Sequence, residues 1–196
     1  MKRESSYEEV VFRRIFYGFI EISRCIDRLE QIEVFLKKYD DCIEFRKKEI
    51  TKAVYLKYHV EKYLEEMYIL KERLMGYLNV LRKYYKHNPS ATKRLEIQEK
   101  LVNRVLDGII KTRGLHIHQN RFTDEDINRL ELYDLLLKAG SMPPVFEKLA
   151  KKEFDRVTKT WLGIVKSNNR ELKKLINGYF TYIHVLVFDE KGQVKI

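Results

Sequence analysis

The stretch from Lys111 to Phe122 holds the side chains in this sequence that are best suited to chemistry. Within twelve residues it places three cations, two imidazoles and two amides, and it contains no acid. An arginine can hold a phosphate through its rigid fork of N–H donors, and a histidine can move protons near neutral pH. An arginine and a histidine acting together therefore suit the cleavage of a phosphodiester bond.

The spacing within this stretch leaves two histidines as candidates. If the backbone is helical, Arg113 and His116 are three residues apart and share a face, whereas His118 lies about 140° around the helix from Arg113. His116 and His118 then point to opposite sides, so only one of them can share a site with Arg113. Local geometry alone slightly favours His116.

Two other interpretations of these residues stay open. In an extended segment the rings of His116 and His118 face the same way and could begin a metal site. No nearby cysteine or HExxH pattern supplies further ligands, and the acids of 124–126 fit better as first-turn charges of the next helix, so we expect no metal and no cofactor. Alternatively, Arg113 pairs with a carboxylate of its own chain while one histidine caps a helix or packs.

The spacing Arg113-x-x-x-x-His118 resembles the R-x4-6-H signature of the HEPN superfamily. Its members are helical bundles, and many are metal-independent ribonucleases of toxin–antitoxin, abortive-infection and CRISPR systems. The resemblance covers residues 6–138, where a long helix rich in Tyr and Leu precedes the motif and another helix follows it. Gly114 stands where the family commonly has a polar residue after the arginine.

The resemblance implies a mechanism and partners. His118 would act as general base or acid on the RNA 2′-hydroxyl or the leaving 5′-oxygen, and Arg113 would stabilise the charge that builds on the phosphate. Family members usually build the site from two copies of the motif across a dimer interface, so we expect a homodimer, with an antitoxin or another protein as a further partner. The residues expected to bind the RNA substrate are Lys111, His116, Asn120 and Arg121.

Amphipathic helices must position this motif. A first helix is predicted from about Ser6 to Tyr39, because apolar residues, Phe19 among them, recur at steps of four and three from Ile15 to Ile32. Phe12 and Phe16 widen the same apolar face. The same repeat runs without a miss from Leu56 to Tyr84 and stops at Asn88-Pro89. Tyrosines in this repeat could stack on RNA bases, but their spacing favours core packing. The stripe is wider than a two-stranded seam, which favours an antiparallel helical bundle.

Two further helices flank the motif in the predicted fold. Ser90 can cap a third helix that ends at the motif, and Thr123 can cap a fourth that runs to Lys138 and is closed by Gly140. The fold class predicted from these patterns is mainly α.

The segment after residue 140 has a different character. Apolar spacing continues a helix from Val145, and Lys148–Lys174 contains nine cations and three acids. The residues Tyr179–Phe188 are aromatic and β-branched, and a turn signal at Asp189–Gly192 follows, so a short C-terminal β-hairpin is predicted. We therefore divide the chain into a HEPN-like bundle, 1–140, and a basic extension, 141–196, packed on the same domain.

Composition limits the function classes. The 196 residues are 44% hydrophobic, which excludes a disordered chain, and the net charge of +10 favours an anionic partner. Cys25 and Cys42 are expected to be thiols in a reducing cytosol. The start lacks a signal-like apolar run, and no run of about 18 apolar residues occurs, so a cytoplasmic protein with no membrane partner is expected.

Three functions are compatible with these features. The first is a HEPN-like endoribonuclease of a defence or toxin–antitoxin system, with Arg113 and His118 as catalytic residues. The second is a non-catalytic helical module for dimerisation or partner binding. The third is a basic nucleic-acid-binding protein that uses Lys148–Lys174, although a charged helix face can also be simply solvated.

Overall fold

The chain is helical throughout most of the part that the structure describes. The computed structural model describes residues 7–39, 43–48, 50–111, 124–140, 143–193 and 195. The helices in these ranges are α1 (Tyr7–Phe35), α2 (Ile43–Lys47), α3 (Lys52–Tyr84), α4 (Pro89–Lys111), α5 (Glu125–Lys138) and α6 (Pro144–Val187). The prediction of a mainly α helical bundle is confirmed.

The described residues belong to two compact units. One draws its residues from Met1–Asp27, Met67–Thr112 and Arg170–Ile196, and the other from Arg28–Glu66 and Arg113–Asn169. The helices α1, α3 and α6 each contribute residues to both units. Each unit has its own buried apolar residues.

The first unit buries one face of α1, α3, α4 and α6. Gly18 of α1 lies against the ring of Tyr77 in α3, so closely that a Cβ on Gly18 would stand 2.5 Å from Tyr77 Cδ2. The buried hydroxyl of Tyr179 donates a hydrogen bond of 2.9 Å to the carbonyl of Leu74. The principal buried side chains of this unit are Val11, Ile15, Ile22, Met67, Leu70, Leu74, Leu95, Val102, Leu106, Tyr179 and Ile183.

The second unit has a core with polar groups inside it. The hydroxyl of Tyr63 donates to Asn169 Oδ1 at 3.1 Å, and Asn169 Nδ2 donates to the carbonyl of Leu29 at 3.5 Å. Arg28 Nε donates to Glu66 Oε2 at 2.8 Å, so the buried carboxylate of Glu66 is compensated. The buried apolar residues of this unit include Leu29, Ile32, Leu56, Val60, Ile127, Leu130, Val157, Trp161 and Val165.

The α3 repeat behaves as core packing. Leu56, Val60, Met67 and Leu81 are all buried, and so are the tyrosines Tyr63 and Tyr77 in the same repeat. These two tyrosines are therefore not an exposed stacking platform for RNA. The repeat ends where it was predicted to end, at the residues before Pro89.

The caps of α4 and α5 are each set by an acceptor side chain. Asn88 Oδ1 accepts from the Ala91 N–H at 3.0 Å, so the predicted cap Ser90 is wrong: Pro89 occupies the first helical position. Asp124 Oδ1 accepts from the N–H groups of Asp126 at 3.0 Å and Ile127 at 3.1 Å. Asp124 is therefore the N-cap of α5, so the predicted cap Thr123 is wrong.

The predicted C-terminal β-hairpin is wrong. α6 continues through Gly163 and Asn177-Gly178 to Val187 as one helix of 44 residues. The residues that follow form a short turn: Asp189 N–H donates to the Gln193 carbonyl at 2.8 Å, Lys195 N–H donates to the Val187 carbonyl at 2.8 Å, and Gly192 adopts a φ of +75°. Tertiary burial of the 179–187 segment overrides its strand propensity.

In the ranges that the structure describes, no helix combines the length and the apolar character needed to cross a bilayer.

Candidate functional site

The residues singled out for chemistry are outside the part of the chain that the structure describes. These are Arg113, His116, His118, Asn120 and Arg121, together with the side chain of Lys111. The structure therefore does not bring them together or separate them. What it does describe is the helix before the motif and the helix after it.

The helix before the motif is firmly held in the first unit. α4 buries Leu95, Val102 and Leu106, and its last backbone position is Lys111. Asp107, one turn before this end, accepts a hydrogen bond of 2.7 Å from Lys71 Nζ of α3. The chain thus enters the Arg113 segment from a packed and ion-paired helix.

The helix after the motif is equally anchored in the second unit. Ile127 and Leu130 of α5 are buried, and Glu131 accepts from Lys57 Nζ at 2.9 Å. Asp126 pairs with Arg156 of α6 at 2.8 Å. The acids of 124–126 therefore cap and charge the first turn of α5, which agrees with the interpretation that they serve the helix.

The basic stretch of α6 is exposed and only partly neutralised. Two of its three acids are used by near neighbours, since Glu153 pairs with Arg156 at 2.8 Å and Glu171 with Lys174 at 2.9 Å. The hydrogen bond from Arg156 lowers the pKa of Glu153, which keeps that carboxylate ionised. Among the described residues, these exposed lysines have no ion pair: Lys148, Lys151, Lys152, Lys159 and Lys166.

Two of these lysines border a cavity in the second unit. The cavity has a volume of 430 Å³, within the range of small-molecule sites, roughly 300–1,000 Å³. Its apolar wall comes from Ala53, Leu130, Leu137, Ala150 and Phe154. Its polar and charged groups belong to Lys52, Tyr133, Asp134, Glu147, Lys148 and Lys151.

Several groups around this cavity are fixed by contacts. Lys52 Nζ lies 4.8 Å from the ring centroid of Phe154, close enough for a cation–π interaction. Asp134 Oδ2 accepts from the Ala53 N–H at 3.3 Å, so this carboxylate is engaged at the start of α3. The ring of Tyr133 packs edge to face on Phe146, with centroids 5.2 Å apart. The cavity is therefore a built pocket with a cationic border and an apolar wall.

A second cavity, in the first unit, is almost entirely apolar. It has a volume of 300 Å³, and Phe12, Phe16, Phe19 and Phe180 are among its lining residues. Phe19 and Phe180 pack edge to face with ring centroids 5.1 Å apart. Phe12, Phe16 and Phe19 remain 47%, 49% and 44% exposed, although the repeat of the first helix placed them on its apolar face.

The described groups with shifted pKa values have structural explanations. The rings of Phe35, Tyr55 and Tyr58 surround His59, and burial lowers the pKa of His59 below its ordinary value of 6.5. Burial raises the pKa of Tyr63 and Tyr179, whose hydroxyls donate within the protein. These residues stay neutral at pH 7 and stabilise the packing. In the described ranges, no three His, Cys, Asp or Glu side chains are grouped as metal ligands would be.

The sequence identified only part of the cavity in the second unit, which we call the cationic pocket. It placed Lys148 and Lys151 in a basic stretch, but it gave no role to Lys52, Tyr133 or Asp134. No spacing in the sequence relates position 52 to positions 133 and 148, because α3, α5 and α6 bring them together only when folded. Lys52 gave one local signal of a special position, because it is a cation at the first position of α3, where an acidic residue is more favourable.

The chain was compared with known proteins in three ways. None of the protein-family models, curated proteins or solved structures with which it was compared matches it.

Proposed function

We propose that this chain is a HEPN-like, metal-independent endoribonuclease that acts as a homodimer in a toxin–antitoxin or abortive-infection system. One observation carries the proposal: the Arg113-x-x-x-x-His118 motif stands between α4 and α5 of a helical protein. A packed helix precedes the motif along the chain, and another packed helix follows it. The net charge of +10 agrees with an RNA substrate.

The proposed chemistry is an attack of the RNA 2′-hydroxyl on its own 3′-phosphate. His118 removes the 2′-hydroxyl proton or protonates the leaving 5′-oxygen, and the Arg113 guanidinium stabilises the negative charge that grows on the phosphate. The products are a 2′,3′-cyclic phosphate end and a free 5′-hydroxyl end. The residues proposed to position the RNA backbone are Lys111, His116, Asn120 and Arg121.

The test is cleavage of a fluorescent single-stranded RNA in the presence of EDTA. We expect His118→Ala to reduce the rate by about 10²- to 10⁴-fold, the usual contribution of a general acid or base. Arg113→Ala should reduce the rate by about 10²- to 10³-fold, because the charge on the phosphate loses its partner. Identifying the cyclic phosphate by mass spectrometry would establish the reaction type.

Two matched controls make this test specific. His87→Ala removes an exposed histidine that follows α3, and it should leave the rate unchanged. His116→Ala separates the two candidate histidines of the motif: a loss as large as that of His118→Ala would reassign the base. Equal cleavage by the parent chain and His118→Ala, with the same unfolding temperature, would remove the ribonuclease proposal.

A non-catalytic module is the second candidate, and the apolar cavity of the first unit favours it. Partly exposed phenylalanines around a cavity are typical of protein interaction surfaces. In this alternative the homodimer forms, but Arg113 and His118 serve only structure. In that case the His118→Ala variant would assemble normally, and neither it nor the parent chain would cut RNA.

A further inference from the structure

We propose that the cationic pocket of the second unit binds one nucleotide of single-stranded RNA. The phosphate would lie against Lys148 and Lys151, and the base would lie on the apolar wall beside Tyr133. The choice of RNA as the ligand rests on the proposed function, whereas the pocket itself uses none of the motif residues. Binding at the pocket and cleavage at the motif can therefore succeed or fail separately.

Charge is the first reason for this assignment. Lys148 and Lys151 are three residues apart on α6, so their side chains leave the same side of the helix. Both are exposed, and neither has an ion pair among the described residues. An anion that approaches the border would therefore meet two ammonium groups without first displacing a carboxylate. Lysine binds phosphate well as a mobile point charge.

The remaining charges of the pocket do not cancel this attraction. Three lysines border it against two carboxylates, those of Asp134 and Glu147. The carboxylate of Asp134 accepts a hydrogen bond from the backbone N–H of Ala53. The third lysine, Lys52, is placed over the ring of Phe154. Three lysines against two carboxylates leave the lining of the pocket with a formal charge of +1.

The apolar wall is the second reason, because it favours a ligand that is more than an inorganic anion. Leu137 and the ring of Tyr133 are partly exposed and offer a surface for a flat, weakly polar group, with the buried Leu130 and Phe154 behind them. A nucleotide joins a phosphate to such a flat ring. Stacking of bases on aromatic side chains is largely independent of sequence, so little base preference is expected.

The experiment measures binding by fluorescence anisotropy in EDTA, with a labelled 12-nucleotide uridine RNA and the His118→Ala chain, so that the probe stays intact. Lys148→Gln/Lys151→Gln should weaken binding by about tenfold or more at moderate salt. The matched control is Lys159→Gln/Lys166→Gln, which removes two exposed lysines of the same helix outside the pocket. This control should change the affinity less than about twofold to threefold.

Salt dependence adds a second measurement. Loss of two phosphate contacts from single-stranded RNA should make the slope of log affinity against log salt shallower by about 1.4. The control pair should leave the slope nearly unchanged. Equal weakening and equal slopes for the two pairs would mean that the attraction is spread over the helix, and the pocket proposal would be wrong.

The base contact is tested with a second pair of variants. Tyr133→Ala should weaken RNA binding roughly 5- to 100-fold, the usual range for one lost stacking contact. Tyr58→Ala removes a tyrosine that is 61% exposed and does not line the pocket, so it should have little effect. Thermal unfolding of each variant shows whether a loss reflects folding.

The affinity for uridine monophosphate tests whether the pocket binds a strand of RNA or a free nucleotide. The proposal requires that the 12-nucleotide RNA bind far more tightly than the monophosphate and that the lysine pair affect both. A monophosphate that binds as tightly as the RNA would overturn the strand assignment and mark the pocket as a small-molecule site. If pocket variants bind RNA normally while His118→Ala abolishes cleavage, only this proposal falls.

Discussion

Gly18 affects this protein through its contact with the ring of Tyr77. A Cβ at Gly18 would overlap the ring of Tyr77, and Tyr77 is buried. Glycine here is needed for the close approach of α1 and α3 within the first unit, although glycine lowers helix stability. The first unit tolerates this loss of helix stability because the ring of Tyr77 packs in the space that a side chain at position 18 would occupy.

Gly18→Ala should therefore lower the free energy of unfolding by about 1–3 kcal/mol, the usual cost of inserting a methyl group into a packed core. Gly76→Ala is the matched control, because Gly76 is exposed in α3 and has nothing within 4 Å of the added carbon. That control should raise the free energy of unfolding by about 0.5–1 kcal/mol. Urea denaturation measures both, and a stabilising Gly18→Ala would contradict the packing at Tyr77.

The end of α6 is helical although its local sequence favours a turn followed by a strand. Asn177-Gly178 is a strong turn signal, and the residues after it favour strands. Yet Leu175, Tyr179, Ile183 and Val187 are all buried, at steps of four. A strand would place Thr181 and Val185 on the same face as Tyr179 and Ile183, yet both are exposed, as they are in a helix. The gain from this burial decides the conformation.

Gly178→Ala tests that conformation. Gly178 is exposed, and an added Cβ meets nothing within 4 Å, so alanine in the helix should stabilise the chain by about 0.5–1 kcal/mol. In a hairpin turn the same change would be destabilising. Gly140→Ala is the contrasting control: with φ at +70°, alanine should cost about 1–2 kcal/mol. Thermal denaturation that ranks the two variants in the opposite order would contradict the continuous helix.

We propose that the whole molecule is a homodimer and that the exposed phenylalanines of α1 contribute to its interface. Phe12, Phe16 and Phe19 are partly exposed around the apolar cavity, where a second copy could cover them. Phe12 and Phe16 already stack on each other with centroids 6.0 Å apart, which gives the surface a defined shape. A dimer that places two motifs together would also complete the proposed ribonuclease site.

Phe12→Asp/Phe16→Asp should convert this dimer to a monomer, because the contact would then bury two unpaired carboxylates in each copy. Light scattering after size-exclusion chromatography measures the mass. Leu132→Asp/Leu135→Asp changes two exposed apolar residues of α5, 51% and 66% exposed, and should leave the dimer intact. A monomeric parent chain at tens of micromolar, or equal dissociation of both variants, would contradict this interface.

The sequence alone determined the helical character of the protein and much of its core. The repeat of α3 identified buried residues from Leu56 to Leu81, and Pro89 and Gly140 marked helix boundaries correctly. These features follow from local rules: the period of a helix and the backbone limits of proline and glycine hold whatever surrounds them. The motif at Arg113 and His118 is also a property of the sequence, and its role stays a prediction.

Only the tertiary structure decided the conformation of residues 179–187, the exposure of the α1 phenylalanines and the assembly of the cationic pocket. Each depends on which other helix lies opposite a given face, and periodicity does not encode that information. Phe16 and Ile22 both belong to the apolar pattern of α1, yet one is half exposed and the other fully buried. Burial is a relation between elements, so it is fixed when the helices pack together.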